Sequence, residues 1–528
     1  MPIDRRCFLR HATRLASLTA ASVSVPGLIL ARTLDYPFSL GVASGSPRAD
    51  SIVLWTRILP DPLNAHPLDP LPVPVRWELA GDEAFRHIVA AGSTTALPEL
   101  AHSVHVDVAG LQPDRWYWYR FMLGDAVSPT GRTRTAPAPQ TAHDKLRLAI
   151  ASCQHWEFGH YAAHRHIAAA SPDVVLFLGD YIYEWGAYEL AHPAAPRRRS
   201  HETLTLDDYR ARYAQYKSDP NLQAAHLAAP WIITWDDHEV ANDYANDRDE
   251  MRSADFLARR AAAYQAFYEH MPIRLPRMGE GPLRFAHLQI YDRYDWGRLA
   301  RFHVLDDRQY RSYQACQRPN AGGSNIVTRS CGELADAART LLGPQQERWL
   351  ADSLASSQAQ WNFVAQQTLM AQCTHTAPDK DDEERLWNDG WDGYPAARQR
   401  LFESMRRHQP SNPVMLSGDV HTFYAAELRP DFNRPSGDGN PVIATEFCGT
   451  SVTSSSRPQA RTERHLVDNP HIRYGRSDKR GYMLMDVSPA RIEVRFQALD
   501  NVRRADSSQK TIASFVVEDG RPVLQRMD

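Results

Sequence analysis

Four apolar segments of this chain are each followed directly by residues that can bind metal ions, and this recurrence constrains the fold more than any other feature. Runs such as 174–178 and 414–416 are apolar throughout, as expected for strands of a sheet that is covered on both faces. In open α/β layers, the residues just past the carboxyl ends of such strands line a crevice where ligands bind. The four clusters are Cys153-Gln154-His155, Gly179-Asp180-Tyr181-Ile182-Tyr183, Asp236-Asp237-His238-Glu239 and Gly418-Asp419-Val420-His421.

Each cluster taken singly has an ordinary structural explanation. A lone aspartate or histidine after a strand is often a helix cap or a turn residue, and Asp180 beside Gly179 fits turn chemistry. The joint pattern is different, because carboxylates, histidines and a thiol gathered at one sheet edge would repel one another or lack partners without cations. The sequence therefore predicts a metal centre built from these clusters.

The first 31 residues have the pattern of an export signal. Arg5 and Arg6 are followed by Phe8 and Leu9, and then by an uncharged stretch, 15–31, that ends in small residues. This stretch is too short to span a bilayer comfortably, which takes about 20 helical residues. The paired arginines resemble the twin-arginine signals that direct folded proteins to the Tat export machinery. We therefore expect a periplasmic or secreted protein with no stable membrane anchor; a buried N-terminal helix is the alternative.

The overall composition excludes several classes of protein. A formal net charge of −3 over 528 residues offers no basic surface for binding nucleic acid. The mean hydropathy of −0.50 argues against a polytopic membrane protein. With 13 Trp, 21 Tyr and 17 Phe, the chain has the aromatic content of a globular protein rather than of a disordered or collagen-like one.

The two parts of the chain differ in their strand patterns. Residues 36–136 contain short alternating or apolar runs separated by turns, which predicts an N-terminal β-sandwich domain. After a linker at 137–143, residues 144–528 combine apolar strands with helical segments, which predicts an α/β domain. A β-hairpin is predicted within 288–307, and helices are predicted at 159–170, at 255–269, from 344 onward and at 395–407.

The cysteines point to an oxidising compartment with one thiol left over. Five of the six follow the signal, and an odd number implies that one is unpaired or takes part in chemistry. Cys316 and Cys331 flank a loop rich in Gly, Asn and Ser and are placed to form a disulfide. The sequence does not determine whether Cys373 and Cys448 are paired.

The clusters belong to a longer series of motifs that resembles a known family. The other motifs are Gly41-Val42-Ala43-Ser44-Gly45, Ala151-Ser152-Cys153-Gln154, Leu305-Asp306-Asp307-Arg308-Gln309-Tyr310 and Trp391-Asp392-Gly393-Tyr394. In this order, and over nearly the whole chain, they are similar to the alkaline phosphatase D (PhoD-like) family of calcineurin-like metallophosphatases. The resemblance implies an α/β fold, a metallo-dependent phosphatase four-layer α/β/β/α sandwich. It also implies an N-terminal β-sandwich like a fibronectin or immunoglobulin domain.

The resemblance also implies a metal centre that holds Fe(3+) and Ca(2+). Carried over by position, the ferric ligands are Cys153, Asp180, Tyr183 and His421. Thiolate and tyrosinate suit a strong Lewis acid better than they suit Ca²⁺, which prefers oxygen ligands. Asp180 would bridge to calcium, whose further oxygen ligands would be Asp237, Asp419 and Asn242, the last being alternatively a phosphate contact. Iron at Cys153 would account for the odd cysteine count.

The same resemblance implies how the catalytic roles are divided. Hydroxide activated by the cations would attack the phosphorus atom, and the cations would neutralise the phosphoryl oxygens. His238 would polarise the ester or protonate the leaving group, and Asp236 would orient His238. Arg308 is a candidate phosphate contact through its planar guanidinium, with a structural salt bridge as the alternative. The turn at 391–394 is either a wall of the cleft or an ordinary aromatic turn.

Together these observations predict an exported, metal-dependent phosphoesterase that acts on phosphate monoesters and diesters. A second interpretation keeps the metal centre but makes the enzyme a phospholipase D-like phosphodiesterase that acts on lipid headgroups. A third interpretation is a surface-adhesion protein on a degenerate scaffold, although a scaffold has no reason to retain all of the candidate ligands. The sequence leaves open the preferred ester and the oligomeric state.

Overall fold

The computed structural model describes residues 36–63, 68–186, 201–275, 284–376 and 384–527. The export signal predicted at 1–31 lies outside these residues. Within the described ranges, no helix is both long enough and apolar enough to cross a membrane.

The chain begins with strands alone and then mixes strands with helices. The α-helices among the described residues are α1 (Ala162–Ala169), α2 (Leu206–Lys217), α3 (Pro220–Ala228), α4 (Phe256–His270), α5 (Gly343–Ala355), α6 (Pro395–His408) and α7 (Gln459–Asp468). The strands up to the first helix are β1 (Val42–Gly45), β2 (Ser51–Arg57), β3 (Val73–Ala80), β4 (Ile88–Ala96), β5 (Ser103–Ala109), β6 (Trp116–Leu123), β7 (Ala126–Val127), β8 (Gly131–Arg134) and β9 (Leu146–Ala151).

The later strands build the mixed α/β part of the molecule and the C-terminal edge of its larger sheet. They are β10 (Val174–Leu178), β11 (Trp231–Thr234), β12 (Asp292–Trp296), β13 (Ala300–Val304), β14 (Ile326–Thr328), β15 (Trp361–Ala365), β16 (His375–Thr376), β17 (Glu384–Trp387), β18 (Pro413–Ser417), β19 (Phe423–Leu428), β20 (Ala444–Cys448), β21 (Ile472–Arg476), β22 (Gly481–Val487), β23 (Arg491–Leu499), β24 (Gln509–Glu518) and β25 (Arg521–Arg526). Short 3₁₀ turns lie at Pro98–Leu100, Arg284–His287, Gly332–Ala335 and Trp391–Gly393.

The larger sheet has ten strands in the order β25-β24-β23-β22-β9-β10-β11-β1-β2-β5. Its central strands β9, β10 and β11 are parallel, so their carboxyl ends meet at the same edge. Every residue of β10 and β11 is buried, as the continuous apolar runs in the sequence predict.

A second sheet has seven strands in the order β12-β13-β15-β18-β20-β19-β21. Strands β13, β15, β18 and β20 are parallel, and the hairpin predicted from the sequence is the antiparallel pair β12–β13. The two sheets pack face to face through an apolar core that includes Leu148, Leu176, Phe363, Leu416 and Phe496. Strand β18 therefore belongs to the sheet that faces β9, β10 and β11 across this core.

Helices cover the outer faces of both sheets. Ile167 of α1, Leu222 of α3 and Phe267 of α4 belong to the core on the outer face of the larger sheet. Leu350 of α5 and Phe402 of α6 belong to the core on the outer face of the smaller sheet. The mixed α/β fold that the sequence predicts is therefore confirmed.

The N-terminal strands form a sandwich that shares one of its sheets with the rest of the molecule. A five-stranded sheet contains β4, β3, β6 and β7, with β8 paired to β6. The opposing strands β1, β2 and β5 are continuous with the larger sheet, because β1 pairs with β11 at Gly45 and Trp231. The predicted strands are present, but the sandwich is not a separate pair of sheets.

The structure shows which of the cysteines are paired. Cys316 and Cys331 form the predicted disulfide. Cys153, Cys373 and Cys448 are all free in the described part of the chain. The odd cysteine count therefore does not single out Cys153, because two other buried or half-buried thiols are also unpaired.

Candidate metal centre

The four polar clusters of the sequence meet at one edge of the two packed sheets. Cys153, Asp180 and Asp237 follow the parallel strands β9, β10 and β11, while Asp419 and His421 follow β18 of the second sheet. Asp180, Asp237, Asp419 and His421 line one cleft, and Cys153 is buried beside it. The structure thus brings residues from distant parts of the chain to a single site.

The backbone adopts an uncommon conformation at this edge. Cys153, Asp180, Asp419 and His421 have φ angles of +61°, +57°, +56° and +53°. The left-handed region is unfavourable for residues other than glycine, by about 1–2 kcal/mol each. Such residues persist only where the surrounding structure fixes them, and they concentrate at functional sites. Their presence at four candidate ligands indicates that the fold directs these side chains toward a common point.

Gly179 allows β10 and β11 to end close together. Its φ is +89°, and a Cβ atom at this position would lie 2.4 Å from the Cβ atom of Asp236. Any larger residue would push apart the loops that carry Asp180 and Asp237. The glycine before Asp180 is therefore required by a close approach as well as by the turn.

A first group of donor atoms combines a thiol, a carboxylate, a phenol and an imidazole. One ligand atom each from Cys153, Asp180 and His421 lie within 4.8 Å of one another. The Tyr183 hydroxyl donates to Asp180 Oδ2 at 2.7 Å and lies 3.2 Å from His421 Nε2. These are the four residues predicted as ferric ligands, and the structure brings them together.

A second group shares Asp180 with the first. Ligand atoms of Asp180, Asp237 and His238 lie within 4.8 Å of one another. The carboxylate of Asp237 is positioned by backbone N–H groups, which donate from His238 at 3.0 Å and from Asp243 at 2.7 Å. Asp419, the other predicted calcium ligand, lines the same cleft but belongs to neither group.

Two carboxylates of the centre have oxygen atoms without a hydrogen-bond donor. Asp180 Oδ1 and Asp419 Oδ2 are buried and receive no hydrogen bond from the described residues. An unpartnered buried oxygen is costly, whereas a cation would satisfy it. The donor set of the first group includes sulfur and nitrogen, and the remaining oxygens suit a hard cation. The residues present therefore fit a pair of bound metal ions.

The protonation equilibria of the centre also fit a site that binds cations. Burial raises the pKa of the Cys153 thiol well above its usual value, and the negative charge of Asp180 raises it further. The same two causes raise the pKa of the Tyr183 phenol. Burial raises the pKa of Asp419 to about 7, although Arg308 opposes the rise. A bound cation would lower the pKa values of these three groups and favour their ionised forms.

His238 is oriented by a residue that the sequence did not point to. Its Nδ1 atom lies 2.7 Å from Glu184 Oε2, and the other carboxylate oxygen of Glu184 accepts the N–H of Asn242 at 2.7 Å. The prediction that Asp236 orients His238 is wrong, because Asp236 is fully buried and accepts a hydrogen bond from Arg308. Glu184 directly follows the Gly179–Tyr183 motif, which is the one signal that could have found it.

Arg308 forms the structural salt bridges that were the alternative to a phosphate contact. Its guanidinium is fully buried and donates to Asp236, and through Nη1 to Asp389 Oδ2 at 2.6 Å. Asp389 also accepts from Arg311 at 2.8 Å. Arg308 Nη2 lies 3.9 Å from Asp237 Oδ1, so the positive charge of Arg308 stabilises that carboxylate from its buried side. Together with His238, it outweighs the effect of burial and keeps the pKa of Asp237 below its usual value.

Asn242, a predicted calcium ligand, lines the same cleft. Its side-chain amide nitrogen donates to Glu250 Oε1 at 3.0 Å, and its Oδ1 atom takes no part in that hydrogen bond. Asn242 and the neighbouring Asp243 both line the cleft. Burial raises the pKa of Asp243, and nearby Asp389 and Asp237 add to the rise. Asp243 was not predicted from the sequence, since it stands in a loop rather than directly after a strand.

Ser454 connects two of the candidate ferric ligands. Its Oγ lies 2.7 Å from the Tyr183 hydroxyl and 2.9 Å from the carbonyl oxygen of Cys153. Arg480 fixes this segment by donating to the Ser454 carbonyl oxygen at 2.5 Å. The sequence did not single out Ser454, because it lies within a serine- and threonine-rich run, 450–456, whose members look alike.

The cleft extends well beyond the candidate ligands. Its volume is about 460 Å³, more than a single phosphate group needs. Trp391 lines it and donates through its indole N–H to Gln366 at 2.9 Å, so the aromatic turn at 391–394 does contribute one wall. Further lining residues include Leu369, Val420 and Trp387. The site therefore has room for groups attached to a phosphate.

Comparison with known proteins identifies the family. The sequence model of the PhoD-like phosphatases matches residues 148–496, and that of the PhoD-like phosphatase N-terminal domain matches residues 23–137. Alkaline phosphatase D of Bacillus subtilis (strain 168) is 42% identical over 547 residues, which cover 99% of this chain and 89% of the relative. A solved structure of PhoD superimposes with a TM-score of 0.87 at 43% identity, covering 94% of this chain and 92% of that one. The chain therefore belongs to the PhoD-like phosphatase family and is a phosphoester hydrolase.

Proposed function

We propose that this enzyme hydrolyses phosphate monoesters and diesters with a centre of Fe³⁺ and Ca²⁺. The observation that carries the proposal is the position of Asp180, whose carboxylate is shared between two groups of donor atoms. One group contains a thiol and a phenol, and the other contains carboxylates and an imidazole. The relative named alkaline phosphatase D supports the reaction class.

The donor types support the assignment of the two ions. Cys153, Tyr183 and His421, with Asp180, offer the anionic sulfur and oxygen donors and the nitrogen donor that suit Fe³⁺. Asp237, Asp419 and Asn242, with Asp180, offer the oxygen donors that Ca²⁺ prefers. The unpartnered oxygens Asp180 Oδ1 and Asp419 Oδ2 are consistent with one ligand bond each to a cation.

The residues of this chain supply orientation and proton transfer. When bound, the cations would activate a water molecule and neutralise charge on the phosphoryl oxygens. His238 lies at the cleft surface with Nδ1 held by Glu184 at 2.7 Å, so Nε2 is the atom available to donate a proton to the leaving group. Arg308 stabilises the carboxylates of Asp236 and Asp237 from the buried side.

A chelation experiment tests the proposal. Treating the purified enzyme with EGTA should abolish release of nitrophenolate from para-nitrophenyl phosphate and from a para-nitrophenyl diester, and added Ca²⁺ should restore it. Asp419→Asn should lower kcat/KM by about 100-fold or more, because a ligand and its charge are removed. Asp247→Asn is a matched control, since Asp247 is exposed and bonds to Tyr313. Full activity in EGTA, or equal effects of the two substitutions, would contradict the proposal.

The export of the enzyme is a second part of the proposal. The paired Arg5 and Arg6, followed by an uncharged stretch, support a Tat-type signal at 1–31 and a periplasmic or secreted enzyme. Replacing both arginines by lysine should retain the enzyme in the cytoplasm, as measured by cell fractionation and immunoblotting. Secretion of the double variant at the normal level would show that another route is used.

A further inference from the structure

The disulfide between Cys316 and Cys331 lies in a small hydrophobic cluster of its own. Among the described residues, this cluster shares no member with the cores on either face of the two large sheets. Its large aliphatic side chains are those of Val327, Leu334 and Leu386. Because so few apolar side chains contribute little stability by themselves, the segment 316–331 depends on the disulfide to hold its position.

The loop that the disulfide closes contains strand β14, which forms part of the cleft wall. This strand has three residues and pairs with β17, where Ile326 lies opposite Trp387. Both of these side chains line the cleft. So short a strand pairing is marginal in water without further support. The disulfide therefore helps to hold one wall of the cleft in place.

A first chain of contacts leads from the disulfide to the candidate metal centre through Asn388. The side-chain nitrogen of Asn388 donates at 2.6 Å to the carbonyl oxygen of Ala315, the residue before the first cysteine of the disulfide. The next residue, Asp389, accepts from Arg308 at 2.6 Å, and Arg308 in turn lies 3.9 Å from Asp237. The disulfide segment thus supports the positive charge that stabilises a candidate calcium ligand.

A second chain of contacts starts inside the disulfide loop. The backbone N–H of Ser324 donates to Asp243 Oδ2 at 3.2 Å, and that of Gly322 donates to the carbonyl oxygen of Glu250 at 2.7 Å. The side chain of Glu250 accepts from Asn242, another candidate calcium ligand, at 3.0 Å. The loop therefore contacts the residues that position the calcium side of the centre.

The first cysteine of the disulfide has two features that suit a reversible bond. Cys316 is half-buried, whereas Cys331 is buried, so an exchanging thiol reaches the Cys316 sulfur more readily. The φ angle of Cys316 is +49°, which is unfavourable for a residue other than glycine and persists only where the surroundings fix it. Reduction removes a covalent bond that helps to fix this conformation.

We propose that the Cys316–Cys331 disulfide is a redox switch, and that the calcium side of the centre is fully ordered only after the bond has formed outside the cytoplasm. The inference rests on the proposed function and export of the enzyme. In the cytoplasm the two cysteines remain thiols, and the large cores form without them. After export, a thiol–disulfide oxidoreductase exchanges with them: one S–S bond forms in the enzyme, and that of the oxidoreductase is reduced to two thiols.

Hydrogen exchange tests the structural part of the switch without relying on activity. In the double variant Cys316→Ser/Cys331→Ser, the amides of β14 and β17 should exchange up to about 100-fold faster than in the oxidised enzyme, as the loop entropy for a separation of 15 residues implies. The amides of β10 should exchange equally in both proteins. Equal protection of β14 and β17 would overturn the switch, and so would faster exchange of β10, because the disulfide would then support the whole fold.

Calcium binding tests the functional part. Equilibrium dialysis with radioactive calcium should show an affinity about tenfold weaker for the double variant than for the oxidised enzyme, because the contacts that support the ligands are loosened. A phosphine reductant should weaken binding similarly in the unmodified enzyme and should not affect the double variant. Cys448→Ser is the matched control and should respond as the unmodified enzyme does, since Cys448 is a free cysteine.

Two results would overturn the functional part. One is an unchanged calcium affinity in the double variant. The other is an equal response of the double variant and the unmodified enzyme to the reductant, which would assign the effect to reduction of iron. Absence of ester hydrolysis by the oxidised, calcium-loaded enzyme would instead contradict the proposed function.

Discussion

Asp180 is the residue on which the candidate metal centre depends. It follows β10 in a left-handed conformation, and its carboxylate is the donor common to both groups of candidate ligands. Around it, Tyr183 and Glu239 fix the loop, because the Tyr183 hydroxyl donates to the Asp180 carboxylate and Glu239 accepts the Asp180 N–H at 3.2 Å. The position of one carboxylate is thus fixed by side-chain and backbone contacts together.

Cys153 provides a spectroscopic prediction. If Cys153 and Tyr183 bind Fe³⁺, the exported protein should absorb visible light through charge transfer from thiolate and tyrosinate. Cys153→Ser should remove or strongly shift this band in the absorption spectrum. Cys448→Ser is the control, because Cys448 is buried at the end of β20 and lies in neither donor group. An identical spectrum for Cys153→Ser and the unmodified protein would exclude Cys153 as a ligand.

Glu184 provides a second prediction, as the positioning residue for His238. Glu184→Gln should lower kcat/KM for para-nitrophenyl phosphate by about 10–100-fold, because the imidazole loses the carboxylate that fixes its orientation and tautomer. Glu202→Gln removes a carboxylate that is half exposed and pairs with Arg259, so it should leave the rate unchanged. Comparable rates for the two variants, with unchanged melting temperatures, would rule out this role.

The sequence located the candidate ligands better than it located the residues that support them. Cys153, Asp180 and Asp237 stand directly after apolar strands, so a local pattern is enough to bring them to one edge. Glu184 and Ser454 act through contacts made across the fold. Glu184 is marked only by its position directly after the Gly179–Tyr183 motif, and no local pattern marks Ser454. The wrong assignment of Asp236 has the same origin, since adjacency to His238 in sequence does not bring their side chains together.

At the scale of elements, the junction between the N-terminal strands and the larger sheet rests on β1. We propose that 36–136 and 144–528 are two domains joined through this strand. Gly45 pairs with Trp231 of β11, and a Cβ atom at Gly45 would lie 2.4 Å from the carbonyl oxygen of Pro272 and 2.7 Å from that of Trp231. Both contacts are with backbone, which has little freedom to move.

Gly45→Ala tests this junction. Overpacking against backbone should lower the free energy of unfolding by about 1–3 kcal/mol, as measured by urea denaturation, and should make the 137–143 linker more sensitive to limited proteolysis. Gly437→Ala is the control, because Gly437 has nothing within 4 Å of its Cβ position. Equal stability of the two variants would mean that β1 and β11 separate readily.

The apolar strands and the hairpin could be predicted from the sequence, whereas α2 and α3 could not. Strands β9, β10 and β11 are continuous apolar runs, which have few alternative interpretations. Helix α2 buries Arg212 and Lys217 along with its tyrosines, so it shows no apolar stripe. Its start is fixed by a capping box between Thr205 and Asp208, and α3 begins at Pro220 after the cap Asp219. The continuity of β1 with the larger sheet is also a long-range pairing that no local pattern reveals.

At the scale of the whole molecule, several buried histidines make stability depend on pH. Burial lowers the pKa of His164 to about 4, and that of His303 and His471 to about 3. In the unfolded chain these groups take up protons near their ordinary pKa of about 6.5. Each therefore opposes folding as the pH falls from about 6.5 toward its folded pKa, and has no such effect at higher pH.

His303→Gln should show this dependence. Between pH 7.5 and pH 5, the variant should lose less stability than the unmodified enzyme, by about 2 kcal/mol, because one histidine no longer demands a proton in the unfolded state. The measurement is the free energy of urea-induced unfolding at the two pH values. His408→Gln is the control, since His408 is exposed at the end of α6. The same pH dependence in both variants would contradict the assignment.

We propose that the two packed sheets bring their strand ends to one metal centre. Elemental analysis of natively exported protein, with and without Asp180→Asn, tests that claim most directly. The unmodified protein should contain both iron and calcium, and the substitution should lower both together, because Asp180 is shared by the two donor groups. Zinc alone in the unmodified protein, or loss of only one metal from the variant, would contradict the account.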